Sequence, residues 1–244
     1  MHLTATGPES APPVLLLHGG GVAGWMWGPL RQQLEQQHRV LVPDLPGHNP
    51  SADEPYVSHA ATVAELASML TTSRPATVVG FSLGAQLAIR LASEHSALVN
   101  SAVIVSAQAK PLPMANLTLG LLGATASLAR QRWFARLQAR ELFVPAAMME
   151  DYISTSAGIS KQTLLAAVGE NVRFELPPGW STFGGRVLVM AGQRERRLMR
   201  DSAESIHAAL PGSELEIVDG CGHGIPLQRP EWFGARISEW LDAG

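Results

Sequence analysis

Cysteine is all but absent: Cys221 stands alone in 244 residues. That excludes an intramolecular disulfide framework, and with no paired Cys/His spacing no metal site is indicated. Charge is scarce as well. Asp, Glu, Lys and Arg make up 16% of the chain and the net charge is −3. Without a basic cluster, a nucleic-acid partner is not suggested. The basic residues are almost all arginine, which carries little functional information. No apolar run reaches the roughly 18 residues needed to cross a bilayer. The opening "MHLTATGPESAPPVLLLHGG" lacks the basic and apolar regions of a signal peptide. The expectation is a cytoplasmic protein without a membrane span.

What the chain does have is enough apolar residues, 46%, to bury a substantial core. Short apolar runs recur: "VLLL" at 14–17, "RVLVP" at 39–43, "ATVVG" at 76–80, "SAVIVS" at 101–106, "RVLVMA" at 186–191 and "ELEIV" at 214–218. Such runs suit strands buried on both faces. Segments with helical spacing separate most of them, among them 27–38, 62–72, 83–95 and 199–210, and "EWFGARISEWL" closes the chain as a helix. The alternation predicts an α/β fold, a mostly parallel sheet with helices on both faces. Between about Lys110 and Trp180 no buried strand is apparent, only apolar helical segments such as "KQTLLAAVGENV". The division expected is a core of 1–109 and 181–244 with a helical cap or lid at 110–180.

The stretch "VVGFSLGAQLAIR" places Ser82 between Gly80 and Gly84, where a strand gives way to a helix. A hydroxyl held up at such a turn forces its backbone into a sparsely allowed conformation. Glycines two residues to either side relieve the crowding, and Ala85 and Ala88 keep the helix close to the sheet. This is the Gly-x-Ser-x-Gly pattern of a nucleophile elbow. The helix N-terminus adds N–H groups and partial positive charge where an oxyanion would form.

A serine needs a base. His223, in the glycine-rich "VDGCGHGIPLQRP" after the last strand, would reach the same sheet edge on a loop that leaves its imidazole mobile. His38, His59, His95 and His207 lie in or beside polar helical segments and are expected to face solvent; His2 is terminal. The base needs an orienting carboxylate. Glu195, three residues past Gly192 at the end of "VLVMAG", stands at the right edge. Asp219 remains its rival, and Asp201 has an ordinary role at a helix start. Glu195 has a competing use as a partner for Arg194, Arg196 or Arg197. In "LLLHGGGVAGWMW" the amide of Gly20, or else Gly21, would join that of Leu83 as an oxyanion hole. His18 is expected to brace that loop by hydrogen bonding. Trp25, Trp27 and Phe81 are the candidate substrate contacts, with packing as the competing role for the tryptophans.

These residues resemble the α/β-hydrolase superfamily, in its serine-nucleophile, esterase- or lysophospholipase-like branch, over nearly the full chain. "HGGG" at 18–21, "GFSLG" at 80–84, the acid at 195 and "GCGH" at 220–223 fall in the family's order. "VPDLPGHNPS" at 42–51 looks like its Asp-x-x-Gly-His-x-x-Ser loop. The resemblance implies the α/β-hydrolase fold with a helical cap, a Ser82–His223–Glu195 triad, no cofactor or metal, and a small-molecule substrate. The expected activity is hydrolysis of a carboxylic ester. A carbon–carbon bond hydrolase or lyase on the same scaffold, or a ligand-binding protein of hydrolase geometry, are the alternatives. Three features depart from the family pattern: Glu where Asp is usual, Asn49-Pro50 where a second glycine is common, and a short N-terminus with room for one strand before "VLLL". The serine argues against the dehalogenase and epoxide hydrolase branches, which use aspartate.

Overall fold

The computed structural model describes residues 1–129 and 131–243. Arg130, within the expected cap, and Gly244, at the end of the expected core, lie outside the described residues. Seven strands form one sheet: β1 (Leu3–Thr6), β2 (Pro13–Leu17), β3 (Arg39–Pro43), β4 (Ala76–Phe81), β5 (Val99–Val105), β6 (Arg186–Gly192) and β7 (Glu214–Val218). Their order is β1-β3-β2-β4-β5-β6-β7. β1 pairs antiparallel with β3, and every other pairing is parallel. The apolar runs thus become β2 to β7, and the short N-terminus supplies a single edge strand.

The two-residue period of a strand sorts the runs between two cores. Leu15, Leu17, Val78, Ile104 and Val189 face α2 (His59–Ser68), α3 (Leu83–Glu94) and α8 (Arg197–Ala209), where Leu66, Leu87 and Ile206 meet them. Val14, Leu16, Val79, Val103 and Leu188 face the other way, onto Leu30 of α1 (Gly28–Leu34) and Phe233 and Ile237 of α10 (Pro230–Asp242). Each such side chain, when fully buried, stabilises the fold by about 1.5–3 kcal/mol relative to exposure.

Between β5 and β6 the chain leaves the sheet for four helices: α4 (Ala115–Ala129), α5 (Arg132–Glu141), α6 (Met149–Gly158) and α7 (Lys161–Val172). α4 packs on α7 and α5 on α6. After β7 a short turn of helix, α9 (Ile225–Gln228), leads into α10. Among the described residues no helix is long and apolar enough to cross a membrane.

Candidate active site

β4 ends at Phe81 and α3 begins at Leu83, so Ser82 alone makes the turn, at φ 53 and ψ −112. Its N–H donates to the Val105 carbonyl at 2.8 Å, which ties the strained residue to the neighbouring strand. The flanking glycines answer to close approach. A Cβ on Gly84 would stand 2.2 Å from the Leu17 carbonyl oxygen, and one on Gly80 would stand 2.4 Å from that of Gly84.

His223 reaches this turn from the loop after β7. Its Nε2 lies 3.1 Å from Ser82 Oγ, and its Nδ1 lies 2.8 Å from Glu195 Oε2. With Nδ1 donating to the carboxylate, Nε2 is free to accept the serine proton. Glu195 is fully buried at its side chain. Its Oε1 accepts from the Gly192 amide and from the Ser106 hydroxyl, each at 2.7 Å. A buried carboxylate needs such donors. The rival acids stand elsewhere: Asp219 is exposed with no side-chain partner among the described residues, and Asp201 pairs with Arg197 at 3.5 Å within α8. The Glu195 side chain itself pairs with none of its arginine neighbours.

The backbone of the histidine loop is held by hydrogen bonds. Gln228 accepts from the Gly222 amide at 2.9 Å and donates to the Gly220 carbonyl at 3.3 Å. Gln193 accepts from the Gly220 amide at 3.1 Å, and the Arg194 amide donates to the Cys221 carbonyl at 2.8 Å. A Cβ on Gly224 would lie 2.0 Å from the Leu142 carbonyl oxygen, so the linker between α5 and α6 presses directly on this loop.

The glycine loop at 18–21 is braced by the segment at 44–48. His18 donates through Nδ1 to the Gly19 carbonyl at 2.8 Å and accepts the Leu45 amide on Nε2 at 2.9 Å. Complete burial lowers its pKa to about 3, so it stays neutral. His48 donates to the Pro46 carbonyl at 3.0 Å and accepts the Gly21 amide at 3.2 Å, and burial lowers its pKa as well. Asp44 accepts the Gly24 amide at 2.7 Å. The Gly21 amide is therefore engaged, whereas those of Gly20 and Leu83 donate to no acceptor among the described residues. The Asn49–Pro50 peptide in this segment is cis.

Gly20, Ser82, Leu83 and His48 form the floor of a cavity of about 460 Å³ whose other walls come from α4, α5, α6 and α7. The three aromatic candidates are not part of it. Trp27 is 1% exposed and stacks on Phe233 in the lower core, because it begins the apolar stripe continued by Leu30 and Leu34. Phe81, also 1% exposed, is the inward residue of its strand and packs its ring 5.2 Å from the His223 imidazole. Trp25 donates its indole N–H to Thr155 at 3.1 Å and lines a different cavity, beside His2 and Asp44. A fourth expectation also changes. His59 is buried, with Nδ1 2.8 Å from the Tyr56 hydroxyl and Nε2 3.0 Å from Gln86 Oε1. Its polar neighbours in sequence hid a contact made from α3.

Two functional positions escaped the sequence reading. Ser106, at φ 54 just past β5, holds Glu195, and His48 holds the glycine loop. The signal for the first was a serine closing an otherwise apolar strand; the second lay inside the Asp-x-x-Gly-His segment. Among the described residues no three of His, Cys, Asp and Glu converge as a metal site.

A serine at a strained turn after the central strand, a buried acid after β6 and a histidine after β7 define a class, and residues 14–236 match the profile described as alpha/beta hydrolase family. The chain belongs to that family. It is similar to the pimeloyl-[acyl-carrier protein] methyl ester esterase of Nitrosomonas europaea, 25% identical over 248 aligned residues that cover 96% of each chain. Among solved structures, a bromoperoxidase from Bacillus anthracis superposes with a TM-score of 0.86 at 17% identity, covering 98% of this chain and 94% of that one. An esterase from Exiguobacterium antarcticum gives 0.85 at 19% identity, covering 99% and 95%. At these identities the structural likeness speaks for the fold.

Proposed function

We propose that the protein is a serine hydrolase of carboxylic esters with small to medium apolar acyl groups, working through an acyl-enzyme. The carrying observation is the continuous line of contacts from Glu195 through His223 to Ser82 Oγ, at 2.8 and 3.1 Å, ending at the cavity. The esterase name of the Nitrosomonas relative, aligned over nearly the whole chain, supports the ester as substrate.

In this reading Ser82 Oγ adds to the ester carbonyl carbon as His223 Nε2 takes its proton. Glu195 holds the imidazole by its Nδ1–H and stabilises the cation that forms. The carbonyl electron pair moves onto oxygen, which the amides of Gly20 and Leu83 and the N-terminus of α3 stabilise. Each such donor is worth on the order of 3 kcal/mol in the transition state. The tetrahedral adduct collapses, the C–O bond to the alcohol breaks, and His223 returns the proton to the leaving oxygen. Water, deprotonated by His223, then releases the acid from Ser82. Residues 110–180 serve as the lid of this site, over a core of 1–109 and 181–244.

Labelling with a fluorophosphonate tests the reading: wild type should be modified at Ser82, and folded Ser82→Ala should not. A folded wild type that resists the probe and leaves nitrophenyl acetate, butyrate and hexanoate intact would overturn it.

A further inference from the structure

Tyr152 sits on α6 and lines the cavity above Ser82. Its residue surface is 3% exposed, with Ile153 and Ala139 packed in the same cluster. Yet its hydroxyl has no hydrogen-bond partner among the described residues, and it is not among the oxygen atoms sealed from contact. A tyrosine buried this deeply normally finds a partner for its O–H. Of the cavities described, only the one holding Ser82 is lined by Tyr152. The Asn171 side-chain amide, on the same wall system, is likewise without a partner among the described residues.

The charge around these groups limits what they would hold. No Lys or Arg lines the cavity among the described residues, Glu141 stands at its wall, and His48 is neutral. A carboxylate drawn in from water would meet no cation among the described residues, and that desolvation is costly. A neutral oxygen would meet a phenol that keeps its proton, since burial pushes Tyr152 up to about 12.

We infer that Tyr152 is a specificity-determining residue whose hydroxyl donates to a neutral oxygen, a ketone or hydroxyl, carried on the acyl part of the substrate. The inference rests on the ester reading above and sharpens it: the acyl group is apolar over most of its length but bears one uncharged oxygen function. A plain alkyl chain would leave the phenol unpaired, which disfavours its binding relative to an analogue that pairs it.

The test compares methyl hexanoate with methyl oxohexanoates bearing the ketone at successive carbons, and with the methyl half-ester of a six-carbon dicarboxylic acid, by pH-stat. In wild type one ketone position should raise kcat/KM at least tenfold over the plain ester. The half-ester should fall below that ketone by at least tenfold. In Tyr152→Phe the ketone-to-plain ratio should drop to about one, carried mainly by KM. A ratio of two activities does not depend on how much of the variant is folded. No ketone preference in wild type, a preference that survives in Tyr152→Phe, or a half-ester faster than the ketone would each overturn the inference. Those outcomes with Ser82 still labelled leave the ester reading standing. Failure of every ester together with no labelling removes both.

Discussion

Glu195 reaches one methylene further than an aspartate would, and the site around it takes up that length. The carboxylate accepts from Gly192 and Ser106 on one oxygen and from His223 on the other, at 2.7, 2.7 and 2.8 Å. Glu195→Gln keeps the shape but removes the acceptor for the Nδ1–H, so kcat should fall by about 10⁴. Asp219→Asn, at an exposed residue away from the imidazole, should leave kcat within about twofold. Steady-state kinetics on one ester decides between them, and the reverse ranking would move the acid to 219. Ser106→Ala withdraws one donor from a buried carboxylate. It should cost about 1.5–3 kcal/mol in urea unfolding, the range for hydrogen bonds to charged groups. Ser82, His223 and Glu195 were legible because each follows a buried strand with glycine close by. Ser106 was not, because its role depends on a side chain 89 positions away. Phe81 is adjacent to Ser82 in sequence but ends β4 with a buried ring against the His223 imidazole, so it packs beside the site without lining the cavity.

The two loops that carry amides and imidazole are built from elements distant in sequence, and the bracing of the glycine loop is sensitive to acid. His18 has a folded pKa of about 3 against an ordinary 6.5. Between those values the unfolded chain binds a proton that the folded chain refuses. The stabilisation is therefore complete above pH 6.5 and is lost as pH falls toward 3, by about 1.4 kcal/mol per pH unit. His48, also lowered by burial, acts in the same direction. Urea midpoints at pH 7 and pH 5 should show a loss of about 2 kcal/mol from His18 alone. His18→Asn should flatten that slope, and an unchanged slope in the variant would place the titration elsewhere. The sequence made the bracing role of His18 legible, since a histidine before three glycines has an obvious loop to hold. The buried state of His59 was hidden, because the start of α2 looks polar and its partners, Tyr56, Phe174 and Gln86 of α3, meet it only in the fold.

Gln86 also organises the molecule at its largest scale. It is fully buried one turn after Ser82, and its amide nitrogen donates to the carbonyls of Gln108 at 2.8 Å and Asn171 at 3.3 Å. Gln108 precedes the inserted helices and Asn171 lies in the last turn of α7, so one side chain ties both ends of the insertion to α3. Gln86→Leu would strand the His59 ring nitrogen and the Gln108 carbonyl, whereas the Asn171 carbonyl keeps the Arg173 and Phe174 amides. Melting should drop in line with about 1–3 kcal/mol for each group that finds no new partner. Hydrogen exchange should accelerate first in α7, and a uniform change across the sheet would argue against this tie. The strands were legible at this scale because parallel strands covered on both faces must be apolar throughout. β1 was legible only as room for one strand before "VLLL", since its "LTAT" at an exposed edge carries no such run. The order in which the sheet is filled has a consequence for biosynthesis. β5 is finished long before its neighbour β6, with residues 106–185 translated in between. At ribosomal rates that leaves one edge of an apolar strand, the edge away from β4, unpaired for roughly 10 s. The newborn chain is thus adhesive along that edge until its last quarter emerges, and chaperone demand should track that interval.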